Sequence, residues 1–149
     1  MLTKNFEELK ANVEKHVEED RVAQGFYWEG GRGCFIGCLN HSDMPYFAAN
    51  RYGLPVKLQR LAEDIFEMLS PDEARAFFAA LPAAIGCNGK DLTGVNKEAM
   101  ADLGWDSGYK WNPEKQRFTK FYGEDNFFGF YRRGRDLLLK LIREAPVDA

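Results

Sequence analysis

The chain is poor in the residues from which specialised sites are most often built. It holds two histidines, His16 and His41, and three cysteines, Cys34, Cys38 and Cys87. An odd and sparse set of thiols argues against a disulfide framework and for a reducing, cytoplasmic setting. No Pro/Gly/Ser-rich tract, repeat or low-complexity segment interrupts the sequence, and 149 residues is the length of one domain, expected over 1–149. Long apolar runs are missing too. The densest late stretch, Leu137-Leu138-Leu139-Lys140-Leu141-Ile142, carries a charge inside six residues, far short of the roughly 20 needed to cross a bilayer. The first eight residues are already acidic and read as no signal peptide. With 20 basic and 23 acidic side chains the net charge is −3, which speaks against general nucleic-acid or membrane-surface binding. Gly30-Gly31-Arg32-Gly33 has neither the Walker nor the Rossmann spacing, so no known nucleotide motif is present.

What is abundant is material for a core. Hydrophobic residues make up 45% of the chain and aromatics 14%, twelve of them Phe, a composition that fills an interior well. Phe6, Leu9, Val13 and Val17 fall at helical spacing and predict a helix over about 4–20. Pro55 opens a second helix whose apolar stripe is Leu58, Leu61, Ala62, Ile65, Phe66 and Leu69. Ser70-Pro71-Asp72-Glu73 reads as a capping box starting a third, with Ala74, Phe77, Phe78 and Leu81 inward and Pro82 as its stop. A weaker helix is expected over 97–103, and a short β-hairpin near 109–121 about Asn112-Pro113. The last helix spans about 126–144, buries Phe127, Phe130, Tyr131, Leu137, Leu138, Leu141 and Ile142, and is weakened at Gly129 and Gly134. The predicted fold is mainly α, a compact single domain of five or six helices with that one hairpin.

One segment stands apart. Residues 28–41 hold two of the three cysteines and one of the two histidines, among glycines. If 34–41 is helical, Cys34, Cys38 and His41 stand at i, i+4 and i+7, within a sector of about 60°. Three readings follow. As a metal site, Cys34, Cys38 and His41 with Cys87 would make a Cys₃His set suited to zinc, although this spacing is not a common zinc-finger one. As a thiol enzyme, Cys34 would sit at a helix N-terminus beside Arg32, where the dipole lowers thiol pKa, or Cys38 would pair with His41 and Asp43. As plain packing, Gly33, Cys34, Gly37 and Cys38 form a small-residue face that lets another helix approach closely. The packing reading is preferred, and it needs no cofactor.

Gly33-Cys34-Phe35-Ile36-Gly37-Cys38 with His41, then Tyr52-Gly53-Leu54-Pro55 and the stretch 58–67, resembles a segment of a group of bacterial and phage proteins of uncharacterised function. The resemblance covers about 28–69, under a third of the chain. It implies a prokaryotic or phage origin and carries no mechanism with it.

Two further constellations bear on function. Residues 109–135 interleave Trp111, Phe118, Phe121, Tyr122, Phe127, Phe130 and Tyr131 with Lys110, Lys115, Arg117, Lys120, Arg132, Arg133 and Arg135. Such alternation can hold single-stranded nucleic acid, but aromatics inward with cations in water is the simpler reading. Glu63 and Glu67 lie one turn apart and are the only notable carboxylate pair, without the Glu-x-x-His of a di-metal site. The sequence therefore leads to a small, soluble, non-enzymatic interaction protein that binds another protein through its surface, Arg32, Lys120, Arg132, Arg133 and Arg135 being candidate contacts. The runner-up is a Cys-dependent enzyme or Cys/His metal protein centred on Cys34, Cys38 and His41. A nucleic-acid binder using 109–135 comes third.

Overall fold

The computed structural model describes the backbone of residues 1–103, 109–112, 117–120 and 127–148, and the side chains of 1–103 and 129–148. Among these the chain forms α1 (Phe6–Glu18), a ribbon of β1 (Trp28–Glu29) and β2 (Arg32–Gly33), then α2 (Phe35–Asn40), α3 (Tyr46–Tyr52) and α4 (Val56–Glu67). After these come α5 (Pro71–Ala79), α6 (Leu81–Ile85), α7 (Val95–Leu103), the hairpin β3 (Tyr109–Asn112) and β4 (Arg117–Lys120), and α8 (Phe127–Glu144). The fold is thus mainly helical, as expected. The described helices number eight because three short ones, α2, α3 and α6, add to those the periodicity shows.

The long elements follow from their patterns. Leu9, Val13 and His16 form the buried stripe of α1, and Leu58, Leu61, Ala62, Ile65 and Phe66 that of α4. Helix α4 is the hub, in contact with α2, α5, α7 and α8. Ser70 caps α5, its hydroxyl accepting the Glu73 N–H at 3.3 Å and donating to the Glu73 carboxylate at 2.8 Å. Helix α5 ends at Ala79, ahead of Pro82, but the chain turns straight into another helix. Pro82 occupies the first turn of α6, where a missing N–H leaves no bond unmade. Helix α8 runs unbroken through Gly134, which faces the side chains of Ile65 and Leu103 where α8 packs on α4 and α7. Phe35 sits at the centre of an aromatic cluster, 5.3–6.2 Å from the rings of Phe66, Phe77 and Phe78. In the hairpin Trp111 pairs with Phe118 and Tyr109 with Lys120; its turn lies outside the described residues.

Two polar devices lock the ends. Lys90 is buried, and its ammonium donates to the carbonyls of Ala84, Ile142 and Arg143 at 3.2, 3.1 and 2.9 Å. These acceptors lie at the C-terminal ends of α6 and α8, where a cation is favoured. Gln59, also buried, donates to Pro45 and Leu54 and accepts from Asn40, tying α4 to α2 and both ends of α3.

The small-residue face is real, but what approaches it is not a helix. The backbone of Tyr27 crosses directly over Gly33 and Gly37, and a Cβ at either position would run into the Tyr27 carbonyl oxygen. Close backbone approach of this kind admits only glycine. Gly37→Ala should therefore destabilise the protein by about 3 kcal/mol, the upper end of the overpacking range, read as a lowered urea midpoint with an unchanged m-value.

Candidate functional site

The crossing of Tyr27 sets Cys34 at the N-cap of α2, where its N–H donates to Phe26 and Tyr27 carbonyls at 3.2 Å each. The first turn of α2 is then capped from outside: the Glu63 carboxylate accepts the Ile36 N–H at 2.7 Å. That bears on the alternative reading of Cys34 as a nucleophile. The helix N-terminus which would have stabilised a thiolate already faces a carboxylate. Burial, and then the charge of Glu63, push the Cys34 thiol well above the ordinary thiol range. Cys38 is fully buried, with its thiol toward the Gly33 carbonyl at 3.2 Å, and burial pushes it up to about 12. Arg32 offsets only a little of the rise at Cys38; its Nε donates to the Asp20 carbonyl at 3.0 Å.

The expected donor sets do not assemble. Cys38 faces backbone carbonyls, His41 turns toward α1, and Cys87 lies between α6 and α7 with its carbonyl accepting from Thr3 Oγ1 at 2.9 Å. Instead, Cys34 meets the two carboxylates one turn apart on α4. Ligand atoms of Cys34, Glu63 and Glu67 lie within 4.8 Å of one another, a thiol and carboxylate set that a divalent ion accepts. Glu67 also accepts the Gly25 N–H at 2.9 Å, pinning the loop before β1. Burial pushes Glu63 up to about 7, and its hydrogen bond to the Glu67 carboxyl adds to the rise. Two neighbouring carboxyls in a dry place share a proton more readily than they both ionise.

The second cluster was not legible as a pair. His16, buried on α1, and His41, exposed at the end of α2, meet Nε2 to Nε2 at 2.9 Å. Trp28 stacks flat on His41, centroids 4.1 Å apart and planes within 4°. His41 holds this place with a left-handed backbone, φ 53°, a conformation glycine or asparagine adopts more easily. Burial lowers the His41 pKa, and the nearby His16, Arg21 and Lys15 lower it further. The ring also lines a groove of about 480 Å³ between α1 and α3, whose walls include Leu39, Phe47 and Tyr52 with Glu8 and Lys15. The sequence places His16 at the edge of the apolar stripe of α1 and offers it, with His41, as a possible base, but nothing local pairs it with a residue 25 positions away.

The basic strip is largely committed elsewhere. Arg132 forks onto Glu73 at 2.8 and 3.0 Å, and Arg135 reaches Glu73 at 3.1 Å and Asp136 at 2.9 Å. These contacts hold Glu73 down to about 2, Arg132 contributing most. Arg133 lies 5.7 Å from the Phe130 ring centre. Phe130 and Tyr131 are core residues, so neither offers a stacking face. The Lys120 side chain, like the aromatics and cations from 109 to 127, lies outside the described residues.

Comparison with protein-family models, curated proteins and solved structures gives no match.

Two outcomes follow from the buried groups. With iodoacetamide at neutral pH the native protein should label at Cys87, which is half-buried, while Cys34 and Cys38 label only on unfolding; peptide mapping by mass spectrometry reads this directly. Glu63, whose folded pKa lies above its unfolded one, contributes stability at low pH that is lost as pH rises toward 7. Between pH 5.5 and pH 8 the loss should be roughly 2 kcal/mol, and urea titrations of Glu63→Gln should lack that slope.

Proposed function

We propose that this protein is a non-enzymatic interaction module of the cytoplasm, of prokaryotic or phage origin, which binds a segment of another protein in the groove between α1 and α3. The observation that carries this reading is the exposure of three large apolar side chains within four residues. Met44, Tyr46 and Phe47 are 51%, 54% and 53% exposed at the start of α3, and Phe47 lines the groove itself. Monomeric surfaces seldom spend aromatic area this way, and such residues are enriched where partners bury. The protonated, buried thiols argue against a cysteine enzyme.

The groove favours one kind of occupant. Glu8 on its rim is neutralised by Arg51 at 2.6 Å and Arg21 near His41 is paired with Glu19 at 3.5 Å, so among the described residues Lys15 in the groove supplies the positive charge at the histidine end. A peptide with an aromatic or aliphatic anchor beside an acidic residue complements both features.

Selection of displayed random peptides on the wild-type protein should enrich that pattern. Phe47→Ala, which removes an exposed ring and leaves thermal stability unchanged, should weaken the selected peptides about 30-fold if Phe47 is a hot spot. Enrichment that survives counter-selection on Phe47→Ala, or a footprint elsewhere, overturns the reading.

A further inference from the structure

The geometry fixes which nitrogen of each histidine carries a proton. His16 Nδ1 lies 2.7 Å from the Asn12 carbonyl oxygen, which accepts and cannot donate, so this nitrogen bears the hydrogen. In its neutral form, His16 then presents a lone pair at Nε2. His41 must donate to it from its own Nε2, 2.9 Å away. Neutral His41 is left with a bare Nδ1, to which no described residue donates a hydrogen bond, on a ring that lines the groove.

Consider now adding protons from solvent. The first goes to His41 Nδ1 and breaks nothing: Nε2–H still donates to His16, and His16 still donates to Asn12. The resulting imidazolium lies flat on the Trp28 face, a favourable cation–π arrangement. A second proton would have to sit on His16 Nε2, hydrogen against hydrogen across 2.9 Å. The pair therefore accepts one proton and resists two. Among the described residues, the charged and titratable groups around it are Glu8 and Lys15 on α1, Arg21 beyond it with its ion-pair partner Glu19, Arg51 and Tyr52 on α3, and Cys38 and Asp43 on its own stretch of chain. Glu8 is paired with Arg51, Cys38 is a protonated thiol facing the Gly33 carbonyl, and Lys15 and Arg21 oppose a bare cation at His41.

We infer that this pair is a one-proton anchor for a carboxylate: an acidic group of the segment in the groove seats against His41 Nδ1 beside Lys15, and the imidazole takes up one proton as it binds. The inference rests on the groove reading above and names its polar half. The carboxylate supplies the counter-charge that the site lacks, and protonation gives it a charge-assisted hydrogen bond. The backbone supports this assignment. His41 is held in a left-handed conformation that asparagine tolerates at least as well, so the imidazole, not the turn, is what the position requires.

The probes are 3-phenylpropionate, an aromatic ring with a carboxylate, and its neutral amide, titrated into ¹⁵N-histidine-labelled protein and followed by NMR. In the free protein at pH 8, His16 should be the Nδ1–H tautomer and His41 the Nε2–H tautomer. The acid should bind more tightly at pH 6 than at pH 8, its Kd rising about tenfold per pH unit where one proton is linked to binding; the amide should show no such slope. His41→Asn, which keeps the left-handed turn but loses the bond to His16 and the stack on Trp28, should lower the thermal midpoint by a few degrees, retain a folded spectrum and abolish the slope. Equal affinity for acid and amide, a flat pH profile, or a slope that persists in His41→Asn overturns the anchor. Amide binding that depends on Phe47 without a pH slope leaves the groove reading standing and removes the anchor; a His41-dependent slope insensitive to Phe47→Ala does the reverse.

Discussion

The close passage of the Tyr27 backbone over Gly33 and Gly37 is the contact on which the site depends. It brings the irregular chain after α1 back against α2, and from that single constraint the other placements follow. Cys34 lands at the N-cap with its amide bonded to Phe26 and Tyr27, β1 pairs with β2, and Trp28 is carried onto the face of His41. Helix α1 is then close enough for His16 to reach the same ring. With only six residues, α2 is too short to hold itself as an isolated helix. It persists because Glu63 caps one end, Asn40 and Gln59 brace the other, and Phe35 inserts among Phe66, Phe77 and Phe78.

Glu63 shows how one side chain can decide between two functions. A cysteine at a helix start, preceded by glycines and an arginine, has the local sequence of an activated thiol. The tertiary partner reverses the outcome: a carboxylate arriving from α4 satisfies the exposed N–H, stands beside the sulfur and makes the thiolate costly. Arg32, the charge that might have countered it, is held by Asp20. Cys34, Glu63 and Glu67 thereby sit together under the loop that Glu67 pins at Gly25.

How much of this was legible depended on the range of the cause. Helices α1, α4, α5, α7 and α8 announce themselves through stripes such as Leu58, Leu61, Ile65 and through local punctuation at Pro55 and Ser70, because these signals act within a few residues. Helices α2 and α3 were harder to read as elements, since their stability comes from Glu63, Gln59 and Asn40 across the fold. The segment 28–41 was rightly singled out as unusual, and its small residues were rightly assigned to close approach, but against a loop and not a helix. Placing Cys34, Cys38 and His41 on one helical face failed because the helix ends at both borders: Cys34 is extended and His41 is left-handed. The pairing of His16 with His41 has no local signature at all. Glu63 and Glu67 were visible as neighbours on α4, while the thiol that joins them comes from a separate element.

The buried ammonium of Lys90 has a consequence for the way the molecule breathes. Terminal helices usually fray first, and their amides exchange with solvent at little free-energy cost. Here the end of α8 shares one cation with the end of α6, so its last carbonyls cannot open unless the loop carrying Lys90 opens with them. That loop is itself bonded to the N-terminal segment through Thr3. The far end of the chain is thus joined to its beginning in one cooperative unit.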